Sequence, residues 1–193
     1  MKKIAVFASG SGTNAQSIIE YFLDKYDKNI VDLVLSNKPE AYVLERAKNF
    51  DITTVLFTRE QLNQTDDIAK LLIVRGIHLI VLAGFLWLVP QNILQAYPNR
   101  IINIHPALLP KYGGKGMYGM NVHKAVLENR ETESGISIHY VNEEYDKGDI
   151  IFQAKCKVEP GDTPESLAQR IHALEYEHFP KVIEKLLFGQ KIY

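Results

Sequence analysis

The chain has 193 residues, a hydrophobic fraction of 46% and a formal net charge of −1. That is enough for one domain with a real core, and it leaves no basic footprint for a nucleic-acid partner. A single cysteine excludes a disulfide framework and a cysteine-rich zinc site.

Lys3–Ala8 reads as a buried strand. The apolar run after the two N-terminal lysines is too short for a secretory signal, and no apolar run reaches membrane-spanning length, so a cytoplasmic protein with no membrane partner is expected. The strand feeds the glycine turn Ser9–Asn14 and an amphipathic helix over Asn14–Tyr26. A strand at Ile30–Ser36, a helix at Glu40–Asn49, a strand at Thr53–Phe57, a helix at Thr65–Arg75 and a continuous apolar strand at Ile77–Ala83 follow. Pro90–Tyr97 reads as a short helix with proline in its first turn, and Arg100–Ile104 as a fifth strand. This alternation predicts an α/β fold with a doubly wound, mostly parallel sheet.

Beyond Ile104 the rhythm breaks. Pro106–Asn121 is a long loop rich in Gly, Lys and Tyr, and such loops in compact domains are functional or disordered. A short helix near His123–Asn129 and two late strands, Gly135–Val141 and Asp149–Val158, are expected to extend the sheet. A final helix runs to about Phe188, with Thr163 or Asp162 as N-cap and Pro164 at an early position. No repeat or linker divides the chain, so residues 1–193 are expected to form a single domain.

Two stretches carry chemistry. In the glycine turn, unpaired N–H groups at a helix start and the helix dipole make an anion site. Gly10, Gly12 and Ala15 also fit the G-x-G-x-x-A dinucleotide fingerprint, which requires an acid at the end of the second strand. Ser36-Asn37-Lys38 stands there instead, which disfavours NAD. Gly114-Lys115 is followed by Gly116, so the Walker pattern fails too. A phosphate monoester at Gly12, Thr13 and Asn14 is the better reading.

The second stretch is IINIHP at 101–106. Period-two geometry puts Asn103 and His105 on one face at the end of a strand. An amide donor beside a titratable imidazole can hold a developing oxyanion. Asp146, in the turn between the late strands, is the third group, expected to raise the imidazole pKa and favour its cation. His123 and His139 could join His105 around a metal, but no metal-type spacing supports it, and none is expected.

The blocks SGSGTN at 9–14, VLAGF at 81–85, NIHPALLPKYGG at 103–114 and DKGDII at 146–151 occur in an order and spacing that resembles the folate-dependent formyltransferase family over nearly the whole chain. The glycine loop points to its glycinamide ribonucleotide branch. The resemblance implies a Rossmann-like formyltransferase fold, with a phosphate-binding half at 1–100 and a catalytic and folate-binding half at 101–193. It implies transfer of a formyl group from 10-formyltetrahydrofolate, a co-substrate, to the terminal amine of 5'-phosphoribosylglycinamide in purine biosynthesis, with no metal. The catalytic roles fall on Asn103, His105 and Asp146, and phosphate binding on Gly12, Thr13 and Asn14. Ribose binding falls on Glu175. Folate binding falls on Leu86, Trp87, Leu88 and Val89, with Asn103 and Val141. The segment Val141–Asp146 would close over the pterin, and Leu109–Pro110 is a candidate cis bond.

The implied partners are small-molecule substrates only, bound by a monomer or homodimer. Two features depart from the family pattern. Trp87 stands where many relatives carry arginine, and the loop GGKGMYGMN is longer than usual. Arg59 is a poor match for an arginine that some relatives use near the third helix. A sugar-nucleotide amine as acceptor, or a non-catalytic nucleotide-binding module of Rossmann type, remain as alternative readings.

Overall fold

Along the first strand, β1 (Lys3–Phe7), successive side chains leave on opposite faces, and both faces are apolar. Ile4 and Val6 enter one hydrophobic cluster, and Ala5 and Phe7 enter another. A strand buried on both sides needs a helical layer on each, and that requirement organises the whole molecule. The computed structural model describes residues 2–189. In chain order β1 is followed by α1 (Thr13–Tyr26), β2 (Val31–Ser36), α2 (Val43–Lys48), β3 (Thr53–Leu56), α3 (Arg59–Asn63) and α4 (Asp67–Val74). Then come β4 (Ile77–Leu82), α5 (Gln91–Ala96), β5 (Ile101–His105), α6 (Met120–Glu128), β6 (Glu133–Tyr140), β7 (Ile150–Lys157) and α7 (Pro164–Phe188).

The seven strands form one sheet in the order β3-β2-β1-β4-β5-β6-β7. β1 to β5 are parallel, whereas β6 pairs antiparallel with β5 and β7 antiparallel with β6. One cluster packs Phe22 of α1 and Phe179 of α7 on one face of the sheet, and the other packs Leu72 of α4 and Ile93 of α5 on the opposite face. Strand order reverses between β1 and β4, so their C-terminal ends open a crevice, where ligands bind in sheets of this kind.

The expected elements are present, with shifted ends. The helix expected from Glu40 begins at Val43, whose N–H donates to the Gly10 carbonyl at 3.2 Å and so ties α2 to the glycine turn. The helix expected over Thr65–Arg75 is shorter, Asp67–Val74, and a separate helix, α3, precedes it. The signal for α3 is its capping box: Thr58 accepts from the Gln61 N–H, and the Gln61 side chain accepts from the Thr58 N–H. Helix α6 starts at Met120, so it takes two residues from the expected loop. The Leu109–Pro110 peptide is cis, as the resemblance implied.

Helix α7 spans 25 residues and is capped by Thr163, which accepts from the Ser166 N–H. Pro180 lies inside it and has no N–H to give the Tyr176 carbonyl. Ser17 Oγ of α1 donates to that carbonyl at 3.4 Å instead. Among the described residues no helix is long and apolar enough to cross a membrane.

Candidate active site

A single cleft of about 620 Å³ opens at the crevice, large enough for a small-molecule ligand pair. Gly12, Thr13, Asn14, Leu86, Trp87, Leu88, Val89, Asn103, His105, Val141, Asp146 and Glu175 all line it. The fold therefore brings together every residue to which the sequence assigned a catalytic or binding role, from loops after β1, β4 and β5, the β6–β7 turn and α7.

At one end, Gly12 caps α1 with φ of 76°, a left-handed conformation that favours glycine. A Cβ there would lie 2.7 Å from the Val43 Cα, so the position is closed to any side chain. The first intrahelical bond runs from the Gln16 N–H to the Gly12 carbonyl, at 2.9 Å. The N–H groups of the first turn before it have no partner inside the helix and suit an anion. Arg46 Nε donates to the Ser11 carbonyl at 2.8 Å and braces the loop.

Next to this loop, Asn14 Nδ2 donates to Glu175 Oε2 at 2.8 Å. Asn14 Oδ1 is buried and has no partner, so a donor on a bound ligand is what it lacks. Glu175 is 6% exposed, and burial pushes its carboxyl up to about 7 against the opposing pull of Asn14. His172, one turn earlier on α7, and His123 of α6 also line the cleft. His123 Nδ1 has no partner, and burial, with His172 and His105 nearby, pushes its pKa down to about 4.

At the other end, Asn103 and His105 share a face of β5, as strand periodicity predicts. His105 Nε2 donates to the Tyr112 carbonyl at 2.7 Å, and its Nδ1 lies 3.5 Å from Asp146 Oδ2. Asp146 Oδ2 accepts from the Gly114 N–H at 2.9 Å. Asn103 Nδ2 lies 3.1 Å from His139 Nε2 and donates to Asp146 Oδ1 at 3.4 Å. Tyr112 and Asp146, the two residues that meet His105, both hold φ near 56–57°, the left-handed region that non-glycine residues avoid.

The electrostatic expectation for His105 is corrected here. His105 is 4% exposed, and burial pushes its pKa below the ordinary imidazole value, although Asp146 and the Tyr112 carbonyl pull it up. Desolvation of a cation outweighs the one partly buried carboxylate. For Asp146, burial alone would raise the carboxyl, but its hydrogen-bonding surroundings, the Gly114 N–H among them, hold it below the usual range.

The Leu86–Val89 segment forms a third side of the cleft. Trp87 packs edge-on to Phe57 and Phe85, with ring centroids 6.2 and 6.3 Å apart. The Arg59 guanidinium sits 5.1 Å from the Trp87 ring centroid, a cation–π contact. An arginine is thus present beside this segment, although from α3 and not from the segment itself.

Sequence reading missed His139 as a partner of Asn103, His172 as a wall of the cleft, and the Tyr112 carbonyl on His105. His139 was visible only as a spare histidine in a strand. Its pairing with Asn103 depends on the antiparallel register of β5 and β6. Among the described residues no group of three His, Cys, Asp or Glu side chains is arranged to hold a metal ion.

The family model described as "Formyl transferase" matches residues 2–183. Over 187 residues the chain is 42% identical to a protein of Arabidopsis thaliana named "Phosphoribosylglycinamide formyltransferase, chloroplastic", covering 94% of this chain and 64% of that protein. It is 39% identical to the phosphoribosylglycinamide formyltransferase of Haemophilus influenzae, covering 98% of this chain and 89% of that one. The crystal structure of glycinamide ribonucleotide transformylase 1 from Symbiobacterium toebii superposes with a TM-score of 0.88 at 34% identity, covering all of this chain and 91% of that one. The chain thus spans less than two thirds of the plant protein and most of the bacterial ones. These matches do not favour a sugar-nucleotide acceptor or a non-catalytic nucleotide-binding module.

Proposed function

This chain belongs to the formyl transferase family, and on that premise we propose that it transfers the formyl group of 10-formyltetrahydrofolate to the terminal amine of 5'-phosphoribosylglycinamide, in purine biosynthesis. One observation carries the reading. An anion-binding helix start, a buried carboxyl with an unpaired amide oxygen, and an Asn–His–Asp group share a single cleft. The spacing of these groups suits a phosphate, a ribose and a reacting amine in that order.

The N–H groups of Gly12, Thr13 and Asn14 hold the phosphate, and Glu175 and Asn14 engage the ribose. Anchoring the phosphate delivers the amine to the formyl carbon as an effective-concentration effect. Leu86–Val89 and Val141 hold the folate, with Asn103 at its reacting end. The neutral amine forms a bond to the formyl carbon, and the carbonyl π pair moves onto oxygen. Asn103 donates an N–H to that oxyanion.

His105 enters neutral, with its Nδ1 facing Asp146. As negative charge builds on the adduct, the pair can take the proton that the new C–N bond makes acidic. It returns that proton to the folate nitrogen as the old C–N bond breaks. The sum is one formamide and one N–H folate, with no oxidant and no covalent enzyme intermediate.

We read residues 1–193 as one domain, with 1–100 supplying the phosphate loop and 101–193 the catalytic trio. It works in the cytoplasm as a monomer or homodimer on small-molecule substrates. The direct test mixes the protein with 10-formyltetrahydrofolate and glycinamide ribonucleotide and follows folate absorbance. Turnover only when the amine is present is the expected result. Release of formate without the amine would make the protein a deformylase and overturn the reading.

A further inference from the structure

We propose that His139 is a positioning residue that fixes which way round the Asn103 amide sits, so that its NH2 group and not its carbonyl oxygen faces the point where the oxyanion forms. The proposal rests on the formyl-transfer reading for its chemistry, but its geometry stands apart from it. A primary amide has nearly the same shape either way round, and only its hydrogen-bond partners decide its orientation.

His139 is 2% exposed and stands directly opposite Asn103 in the β5–β6 ladder. Its Nδ1 lies 2.7 Å from the Tyr140 carbonyl oxygen. A carbonyl only accepts, so Nδ1 carries a proton, and in the neutral ring Nε2 then keeps its lone pair. Asn103 Nδ2, 3.1 Å from that Nε2, must therefore donate to it. The same Nδ2 lies 3.4 Å from Asp146 Oδ1, a second acceptor. Turned over, the amide would set its own carbonyl oxygen against both.

The two contacts are unequal, and the inequality matters. The N–H on His139 is the shorter bond and acts as the anchor. The N–H toward Asp146 is long and is the one a developing oxyanion can claim. Asp146 Oδ1 also lies 3.5 Å from His139 Nε2, but an unprotonated nitrogen offers it no hydrogen. A chain of fixed donors thus runs from the Tyr140 carbonyl through His139 to Asn103. Electrostatic preorganisation of this kind spares the site from reorienting a dipole during the reaction.

The test compares His139→Ala with His139→Gln. Alanine removes the acceptor and frees the amide to turn. Glutamine supplies an acceptor oxygen in its place. The expected result for His139→Ala is a fall in kcat of about 10²-fold, the effect of losing one oxyanion donor, with KM for either substrate changed by less than a few fold. His139→Gln recovers most of the lost kcat. In the unmodified protein, 15N NMR of the His139 ring reads the geometry without any turnover, with Nδ1 protonated and Nε2 not.

Unchanged kcat in a folded His139→Ala overturns the proposal. So does a His139→Gln as slow as the alanine variant, or a ring found protonated at Nε2. If the alanine variant fails to fold, the glutamine variant and the NMR of the unmodified protein still decide the matter. An unmodified protein that transfers no formyl group, yet has the Nδ1-protonated ring, fails the functional reading and leaves the amide lock standing.

Discussion

Asn14 and Glu175, 161 positions apart in sequence, meet at 2.8 Å across the cleft. The contact joins the first turn of α1 to the middle of α7, so the proposed phosphate and ribose sites exist only once the chain has closed on itself. It also leaves Glu175 as a buried carboxyl whose one hydrogen-bond donor does not offset its desolvation.

That has a consequence for stability. Glu175 titrates at about 7 in the fold against 4.5 for the free group. Between those values the folded state holds a proton that the unfolded state has released, so stability falls as pH rises through the window. Glu175→Gln removes the effect. Urea unfolding should find the variant gaining on the unmodified protein by roughly 2–4 kcal/mol between pH 4 and pH 8. Parallel curves for the two proteins across that range would refute it.

His123 acts in the opposite sense. Its pKa is about 4 in the fold against 6.5 for the free group. Over that interval the unfolded state binds the extra proton, so stability is lost as pH falls from 6.5 towards 4. His123→Asn carries no titratable ring. The difference in unfolding free energy between variant and unmodified protein should therefore shift in favour of the variant by a few kcal/mol on acidification, whatever offset the substitution adds at neutral pH. A pH-independent difference is the contrary result.

His105→Ala and Asp146→Asn should each lose on the order of 10²–10³ in kcat while keeping affinity for the ribonucleotide, because the glycine loop is untouched. The pH profile separates their roles. Burial already holds the His105 pKa below its ordinary value, and Asp146 pulls it back up. In Asp146→Asn the acid limb of the residual activity should therefore move to still lower pH. A shift to higher pH would contradict the arrangement.

Gly12→Ala tests the phosphate loop. The added methyl meets the Val43 backbone, and a residue with φ of 76° prefers no side chain. The expected outcome is a loss of about 1–3 kcal/mol in stability. Binding of glycinamide ribonucleotide should weaken more than binding of a folate analogue, as calorimetry with each ligand would report. Equal loss of both would point to general unfolding of the cleft.

Trp87 is the only tryptophan, and it lines the side of the cleft proposed to hold folate. Its emission should change on titration with a folate analogue and stay constant with the ribonucleotide alone. Arg59→Ala, which removes the cation over the ring, should shift the emission of the unliganded protein. Constant emission in the folate titration would take Leu86–Val89 out of the folate site.

Much of this was legible in residue order. Alternating apolar strands and helices up to Ile104 determined a doubly wound sheet, because a strand apolar on both faces has to be covered twice. Gly12 before a helix, and Asn103 and His105 two apart at a strand end, determined a helix start with free N–H groups and a pair of groups on one face, since both follow from local backbone geometry. The capping box at Thr58–Gln61 was an equally local signal, passed over in reading the sequence.

What only the tertiary structure decided are the relations that depend on register and burial. That His139 faces the Asn103 amide follows from the antiparallel pairing of β5 with β6. That His105 is pushed toward its neutral form, against the pull of Asp146, follows from how little water reaches it. Neither register nor desolvation is written in the spacing of residues along a chain. Both arise only when distant segments pack.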